Sequence, residues 1–183
     1  MAIVKGDYRL DSDSFQMIYE TYYKKVYNYI SYRINNHEST EDLVNDVFEK
    51  VIVKYETYKP ERSSPEAWII GIAKNVTVDY FRRIKRHTYV SLDVVFDIAS
   101  DKQKPEEIIV KDEFRKELIR VLNTLKSKER NILSIKFSTD LNNGEIATIM
   151  GMSESNVGTI AHRAIKKLRV GLEKIEGGYN DGK

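Results

Sequence analysis

The stretch NNGEIATIMGMSESNVGTIAHRA, from Asn142 to Ala164, decides how the rest of the chain is read. Its apolar residues keep helical spacing on both sides of one glycine. Asn143 is placed to cap a first short helix whose inner positions are Ile146, Ala147 and Met150. Gly151 falls at the break, where a left-handed backbone costs glycine least. Met152 turns inward again, and Ser153 caps a second helix with Glu154 in its first turn. Val157, Ile160, Ala161 and Ala164 then form the inner stripe. Two helices that cross steeply need a small residue at closest approach, and Ala147 is in place for it. The spacing predicts a helix-turn-helix.

The outward residues of the second helix are Ser155, Asn156, Thr159, His162, Arg163 and Lys166. In this motif the second helix enters the major groove of DNA, with early residues at base edges and later cations at phosphates. A plain helical hairpin with a solvated polar face shares part of the pattern, and a lone His162 adds no weight. The agreement of cap, turn and small-residue positions favours the DNA-reading alternative.

Upstream of the motif the helical order continues. Ser127 is expected to cap a helix through Phe137, with Ile132, Leu133 and Ile135 inward. Before it, Pro105 to Leu125 carries Ile108, Ile109, Phe114, Leu118, Val121, Leu122 and Leu125 at helical steps. Residues 87–104 keep neither period and read as a linker. Their apolar run YVSLDVVFDI leaves docking on a neighbour as open as an extended tether. Residues 176–183 read as a polar tail.

The first half reads as three helices. One starts near Ser12 to Ser14 and ends near Asn35 to Asn36, with Phe15, Ile18, Tyr19, Tyr22, Val26, Tyr29 and Ile30 on one stripe. A second is capped by Ser39 or Thr40, with Glu41 and Asp42 in its first turn. It turns Leu43, Val47, Val51 and Tyr55 inward, with Val44, Phe48 and Ile52 beside them. After the loop ETYKPERSS, Ser64 caps a third helix with Pro65 as its first residue. That helix runs to about Arg86, burying Trp68, Ile69, Ile72, Ala73, Val76, Tyr80 and Ile84. The expected fold is all-α: two small helical domains, residues 12–86 and 105–175, joined by the linker.

Composition narrows the function. The chain has 183 residues, and its net charge of only +2 means that any nucleic-acid contact must rest on local clusters. It has no cysteine, which removes disulfides, thiol nucleophiles and thiolate metal sites. No stretch approaches the roughly 20 apolar residues that span a bilayer, and the opening residues hold no apolar run of the signal-peptide kind. These features predict a cytoplasmic protein. No carboxylate–histidine constellation, metal-spaced cluster or phosphate loop points to an enzyme or a cofactor.

Three segments in order resemble the conserved regions of bacterial sigma-70 family RNA polymerase sigma factors, closest to the extracytoplasmic-function (ECF) group. The first is TEDLVNDVFEKVIVKY, with Asp42, Asn45, Asp46 and Phe48 where that family reads D-x-x-Q-[DE]-x-F. The second is PEAWIIGIAKNVTVDYFRRIKR, with Ala67, Trp68, Ile72, Ala73, Asn75, Asp79, Arg82 and Arg83 on its pattern. The third is the helix-turn-helix, with Glu145, Ile146, Ala147, Met150, Gly151, Met152, Ser153, Asn156 and Val157. The resemblance spans about Phe15 to Leu172. Two positions depart from it: Asn45 replaces a longer glutamine, and Gly158 stands where a polar residue is usual.

The resemblance implies roles. Asp42, Asn45, Asp46 and Glu49 would bind the clamp helices of the largest RNA polymerase subunit, and the chain would also meet the polymerase flap. Asn75, Asp79, Arg82, Arg83, Lys85 and Arg86 on the third helix would meet and help open the minus-ten promoter element. Tyr58, Lys59 and Arg62, in the loop from Glu56 to Ser64, would hold a base flipped from the single strand. Tyr58 can equally close the small core. The helix-turn-helix would read the minus-thirty-five element as duplex, and an anti-sigma factor, of a kind often membrane-anchored, would control the whole. A helix-turn-helix regulator acting without polymerase is the rival reading.

Overall fold

Asp11 starts the first helix by accepting the Ser14 N–H at 2.7 Å, and α1 runs Ser12–Ser31. The computed structural model describes residues 11–34, 36–88 and 120–180, with backbone alone for 86–88 and 174–180. α1 ends sooner than its apolar stripe suggested, in a turn through Tyr32 and Arg33. The cause is the next helix, α2, His37–Lys54. Asn36 caps it from an extended backbone and accepts the Ser39 N–H at 2.7 Å, so the chain must leave the helical path before that residue. Ser39 and Thr40 are therefore inside the helix rather than at its cap. Thr40 is buried, and its hydroxyl donates to the Asn36 carbonyl.

A short 3-10 turn, Tyr55–Thr57, leads into the loop before α3, Pro65–Thr88. Ser64 caps α3 as its sequence required, accepting the Ala67 N–H at 3.3 Å. The inner faces of α1, α2 and α3 bury Val26, Tyr29 and Ile30, then Leu43, Val44, Val47 and Val51, then Ile69, Ile70, Ala73 and Val76. Ile52 was expected beside this core but is 48% exposed, because α2 turns that side outward.

The described chain resumes with helical residues 120–124, then α4, Ser127–Ser138, α5, Asn143–Met150, and α6, Glu154–Asn180. Ser127 is the first residue of α4 rather than its cap. Lys126 precedes it, and its backbone N–H donates to the Glu129 carboxylate at 2.9 Å. α6 continues to Asn180, so residues 176–180 of the expected polar tail are helical. The expected linker began at 87, but residues 87 and 88 are the last of α3; its remainder to 104, and the expected helix from 105 as far as residue 119, lie outside the described residues.

The second group of helices does not stand apart from the first. α4 lies against α1, and α5 against α3. Ile132 and Ile135 of α4, Ile146 and Ala147 of α5, and Val157 and Ala161 of α6 join one apolar cluster with the core of the first lobe. Leu122, Leu125, Leu133 and Ala164 make a smaller cluster behind it. Fully burying an isoleucine contributes roughly 1.5–3 kcal/mol, so the shared cluster binds the two lobes strongly.

Candidate functional site

The helix-turn-helix is built from reciprocal caps. Asn142 accepts the Glu145 N–H at 3.0 Å, and the Glu145 carboxylate accepts the Asn142 N–H at 3.0 Å. This corrects the expected cap at Asn143. Of the two adjacent asparagines, only Asn142 stands three residues before a glutamate, the spacing that closes both bonds. Asn143 lies in the first turn of α5, where its side-chain oxygen accepts from Lys136 at 2.8 Å. Gly151 ends α5 in the left-handed region, at φ 63° and ψ 46°. The Met152 N–H then reaches back to the Ala147 carbonyl at 3.0 Å. Ser153 starts α6 by accepting the Asn156 N–H at 3.3 Å.

Inside the corner Ile146, Ala147, Val157, Ala161 and Ala164 are buried. Ser155, Asn156, Thr159, His162, Arg163 and Lys166 are all exposed on α6. The Thr159 hydroxyl donates to the Ser155 carbonyl at 3.0 Å, which fixes its rotamer. Lys167 is committed elsewhere, to Glu129 at 2.6 Å, while no ion pair engages Arg163 or Lys166 among the described residues. The outward face thus offers short polar groups first and free cations later, as duplex DNA requires.

On the first lobe, Asp42, Asn45 and Glu49 are exposed along the outer side of α2, with Asp46 half-buried between them. They stand opposite buried Leu43, Val47 and Val51. This gives α2 an acidic strip directed away from the core. Asn75, Asp79, Arg82, Arg83 and Lys85 are exposed on α3, with Arg82 and Asp79 paired at 3.3 Å. The Arg86 side chain lies outside the described residues.

The loop between them is held by Tyr58. Its ring lies 5.0 Å from the Trp68 ring, and its hydroxyl donates to the Ser63 carbonyl at 3.1 Å. Burial pushes this phenol above its ordinary pKa, followed by the neighbouring Tyr22, Tyr55 and Glu61. Lys59 and Arg62 are exposed at the tip. Of the two readings of Tyr58, the geometry favours the one that closes the loop onto the core.

Sequence reasoning missed a polar seam between the lobes. The Tyr29 hydroxyl donates to the Asn131 side-chain oxygen at 2.7 Å, both residues being buried. Burial pushes the Tyr29 phenol up to about 12. Lys25 of α1 reaches Glu66 of α3 and Asp140 of the α4–α5 loop, each at 2.7 Å. Burial pulls its ammonium down, but the two carboxylates outweigh that, and the pKa ends above its ordinary value. Glu66 also accepts the Asp140 N–H at 3.0 Å. The Ser64 hydroxyl donates to Glu145 at 2.8 Å, Lys74 to the Ile149 carbonyl at 2.9 Å, and Arg33 to the Ser127 carbonyl at 3.2 Å. One signal was available. Tyr29 sits in the middle of an apolar stripe, and a buried phenol needs a hydrogen-bond partner.

Among the described residues no group of acidic or histidine side chains is placed to hold a metal ion, and no helix is long and apolar enough to cross a membrane. The geometry is that of a two-lobed helical DNA-binding factor with a separate acidic face. Comparison with known proteins specifies it further. Residues 18–87 match the family model for sigma-70 region 2, and residues 121–170 match the model for sigma-70 region 4. The ECF RNA polymerase sigma factor SigX of Bacillus subtilis is 30% identical over 167 residues, covering 89% of this chain and 86% of SigX. The ECF sigma factor SigM of the same organism is 25% identical, covering 83% of this chain and 91% of SigM. Among solved structures, the sigma factor RpoE of Bartonella quintana, in complex with the anti-sigma factor NepR, shares the fold. Its TM-score is 0.75 at 20% identity, covering 88% of this chain and 98% of that one. The chain belongs to the ECF group of sigma-70 family RNA polymerase sigma factors. Its biochemical role is accordingly to bring RNA polymerase to promoters.

Proposed function

We propose that the two lobes divide promoter recognition between them and that α2 holds the polymerase. Asp42, Asn45, Asp46 and Glu49 meet the clamp helices of the largest subunit, and the second lobe meets the flap. What supports this is the placement of one acidic strip on α2, outside the core and apart from both basic surfaces. Carboxylates that take no part in the lobe's own packing are free to complement a cationic helix pair.

The second lobe reads the minus-thirty-five element as duplex. Ser155, Asn156 and Thr159 face base edges, and His162, Arg163 and Lys166 face the phosphates. The first lobe takes the minus-ten element, with Asn75 and Asp79 on the outer side of α3 and Arg82, Arg83, Lys85 and Arg86 towards the backbone. Lys59 and Arg62 meet the unpaired strand at the loop that Tyr58 holds in shape. Capturing unstacked bases offsets part of the melting cost, which is a few kcal/mol for each flipped base. The chain itself catalyses nothing, needs no cofactor, and works in the cytoplasm, under an anti-sigma factor that covers helix surface on one or both lobes.

The test is transcription by purified core polymerase with and without the chain on a promoter library, beside a direct affinity measurement. Asp42→Ala with Asp46→Ala is expected to weaken core binding about ten-fold or more while leaving duplex binding by α6 intact. Unchanged core affinity would favour a regulator that acts without polymerase.

A further inference from the structure

The second lobe carries a cavity that reading a duplex does not require. Its volume is 710 Å³, inside the range of roughly 300–1,000 Å³ usual for small-molecule sites. Its described walls are residues 120–124 on one side and the middle of α6 on the other. Val121, Thr124, Val170 and Gly171 give it a mainly apolar floor. A Cβ on Gly171 would fall 2.4 Å from Val121 Cγ1, so only bare backbone lets the two walls meet there. Val170 is 43% exposed. It is an aliphatic side chain that folding leaves open to water beside this floor.

Four cations, Arg120, Arg163, Lys166 and Lys167, border the same hollow, and no acid lines it among the described residues. Lys167 is already held by Glu129 at 2.6 Å. Arg163 and Lys166 enter no ion pair among the described residues. They stand three residues apart, as neighbours on one helix face. Burying hydrocarbon satisfies the floor, and an anion satisfies the edge. An inorganic anion would leave the floor wet, and an uncharged lipid would leave the cations unanswered. A bilayer presents a flat surface that does not enter a hollow. We propose that this cavity binds a single-chain anionic amphiphile of the fatty-acid class. The tail lies on Val121, Val170 and the Gly171 backbone, and the carboxylate lies between Arg163 and Lys166.

The regulatory consequence rests on the promoter reading above; the binding itself does not. Arg163 and Lys166 are the cations assigned to duplex phosphates, and a carboxylate held between them competes with those phosphates. An occupied chain therefore binds duplex more weakly, and its affinity falls less steeply with salt, because fewer counterions are released. Neither partner has to reach the far side of the molecule for this coupling, since both use the same two side chains. Promoter recognition then answers to the supply of free fatty acid.

The test titrates the full chain with a dansyl-labelled fatty acid below its micelle concentration, then displaces the dye with unlabelled probes. Binding should saturate at a single site. Each methylene added to an alkyl carboxylate should tighten it by up to about four-fold until the cavity is full. The alcohol of equal length should bind about ten-fold more weakly, for want of the charged hydrogen bonds. Val170→Gln should weaken the carboxylate about ten-fold, and Thr124→Trp should plug the hollow. Melting temperatures near that of the wild type exclude a damaged fold. Saturating fatty acid should lower the wild-type affinity for duplex but leave both variants indifferent to it. Absence of saturable binding would overturn the inference. So would binding only above the micelle concentration, equal binding of alcohol and carboxylate, or wild-type affinity in both variants. Capture by anionic phospholipid vesicles without binding of monomeric fatty acid would overturn it in favour of a membrane contact. No fatty-acid binding, with both variants instead losing affinity for core polymerase, would give the hollow to the polymerase. Saturable, variant-sensitive binding that leaves duplex affinity unchanged would remove the phosphate assignment of Arg163 and Lys166 and leave the fatty-acid site standing.

Discussion

Two glycines seven residues apart should answer to alanine with opposite signs. Gly151 ends α5 at φ 63°, and a Cβ added there would meet nothing within 4 Å. The cost of Gly151→Ala is therefore backbone strain alone, about 1–2 kcal/mol for an L-residue in the left-handed region. Gly158 lies inside α6, and its added Cβ would come 3.7 Å from the Asn143 side-chain nitrogen, an ordinary contact. Gly158→Ala should gain the helical advantage of alanine, about 0.4–1 kcal/mol. Because the lobes share one core, urea unfolding followed by helical circular dichroism should show a single transition with an unchanged slope, so that the midpoint reports stability directly. In a chain of this size each kcal/mol moves the melting temperature by about 2–4 °C, which puts the two variants several degrees apart. If Gly151→Ala matched or exceeded the wild type, the left-handed turn would not be what ends α5. If Gly158→Ala fell below it, the unstrained contact with Asn143 beside α6 would be wrong.

Gly171→Ala should cost about 1–3 kcal/mol, since its Cβ would fall on the stiff Val121 side chain; a calorimetric melting temperature at the wild-type value would count against that packing. Arg163→Ala should weaken duplex binding by similar factors on all sequences and lower the salt slope by about one, as measured by binding titrations at several salt concentrations. Asn156→Ala should instead change which base is preferred at one position, by about 1–3 kcal/mol, in a selection from randomised duplexes. Glu129 is held below its ordinary value chiefly by Lys167. Its contribution is present above roughly pH 4.3 and lost as pH falls through the lowered folded value, so the stability gap between wild type and Glu129→Gln should close with acid in parallel urea titrations.

The fold was legible where one helix face tells the whole story. Val157, Ala161 and Ala164 turned inward as their spacing required, Ser64 and Ser153 capped their helices, and Gly151 took the left-handed turn. Two of the misplaced caps share a cause. Asn36 against Ser39, and Asn142 against Asn143, are choices between neighbours of equal propensity. A bond to a specific N–H decides them, and that bond depends on where the preceding turn ends. The seam was illegible for another reason. Nothing in local period pairs Tyr29 with Asn131 or Lys25 with Asp140, since such partners are brought together only by how one bundle lies on another. Among the candidate residues, exposure was readable from the helical stripe. The packing of Tyr58 on Trp68 was not, because a loop has no period.

The net charge of +2 conceals a division of labour. Exposed cations gather at the end of α3 and along α6, and exposed acids on α2. These sets lie on different surfaces. Binding to DNA by such a chain gains little from its long-range field, because the acidic strip lies within a few Debye lengths of the basic faces at low salt. If polymerase covers that strip as proposed, its acids are neutralised by their partner and the exposed charge that remains is more positive. On that reading polymerase binding would raise DNA affinity by charge, and the free chain would bind non-specific DNA more weakly than the complex. Under the proposed polymerase contact the acidic face would serve two ends: selecting the polymerase, and until the polymerase arrives offsetting the charge of the basic faces.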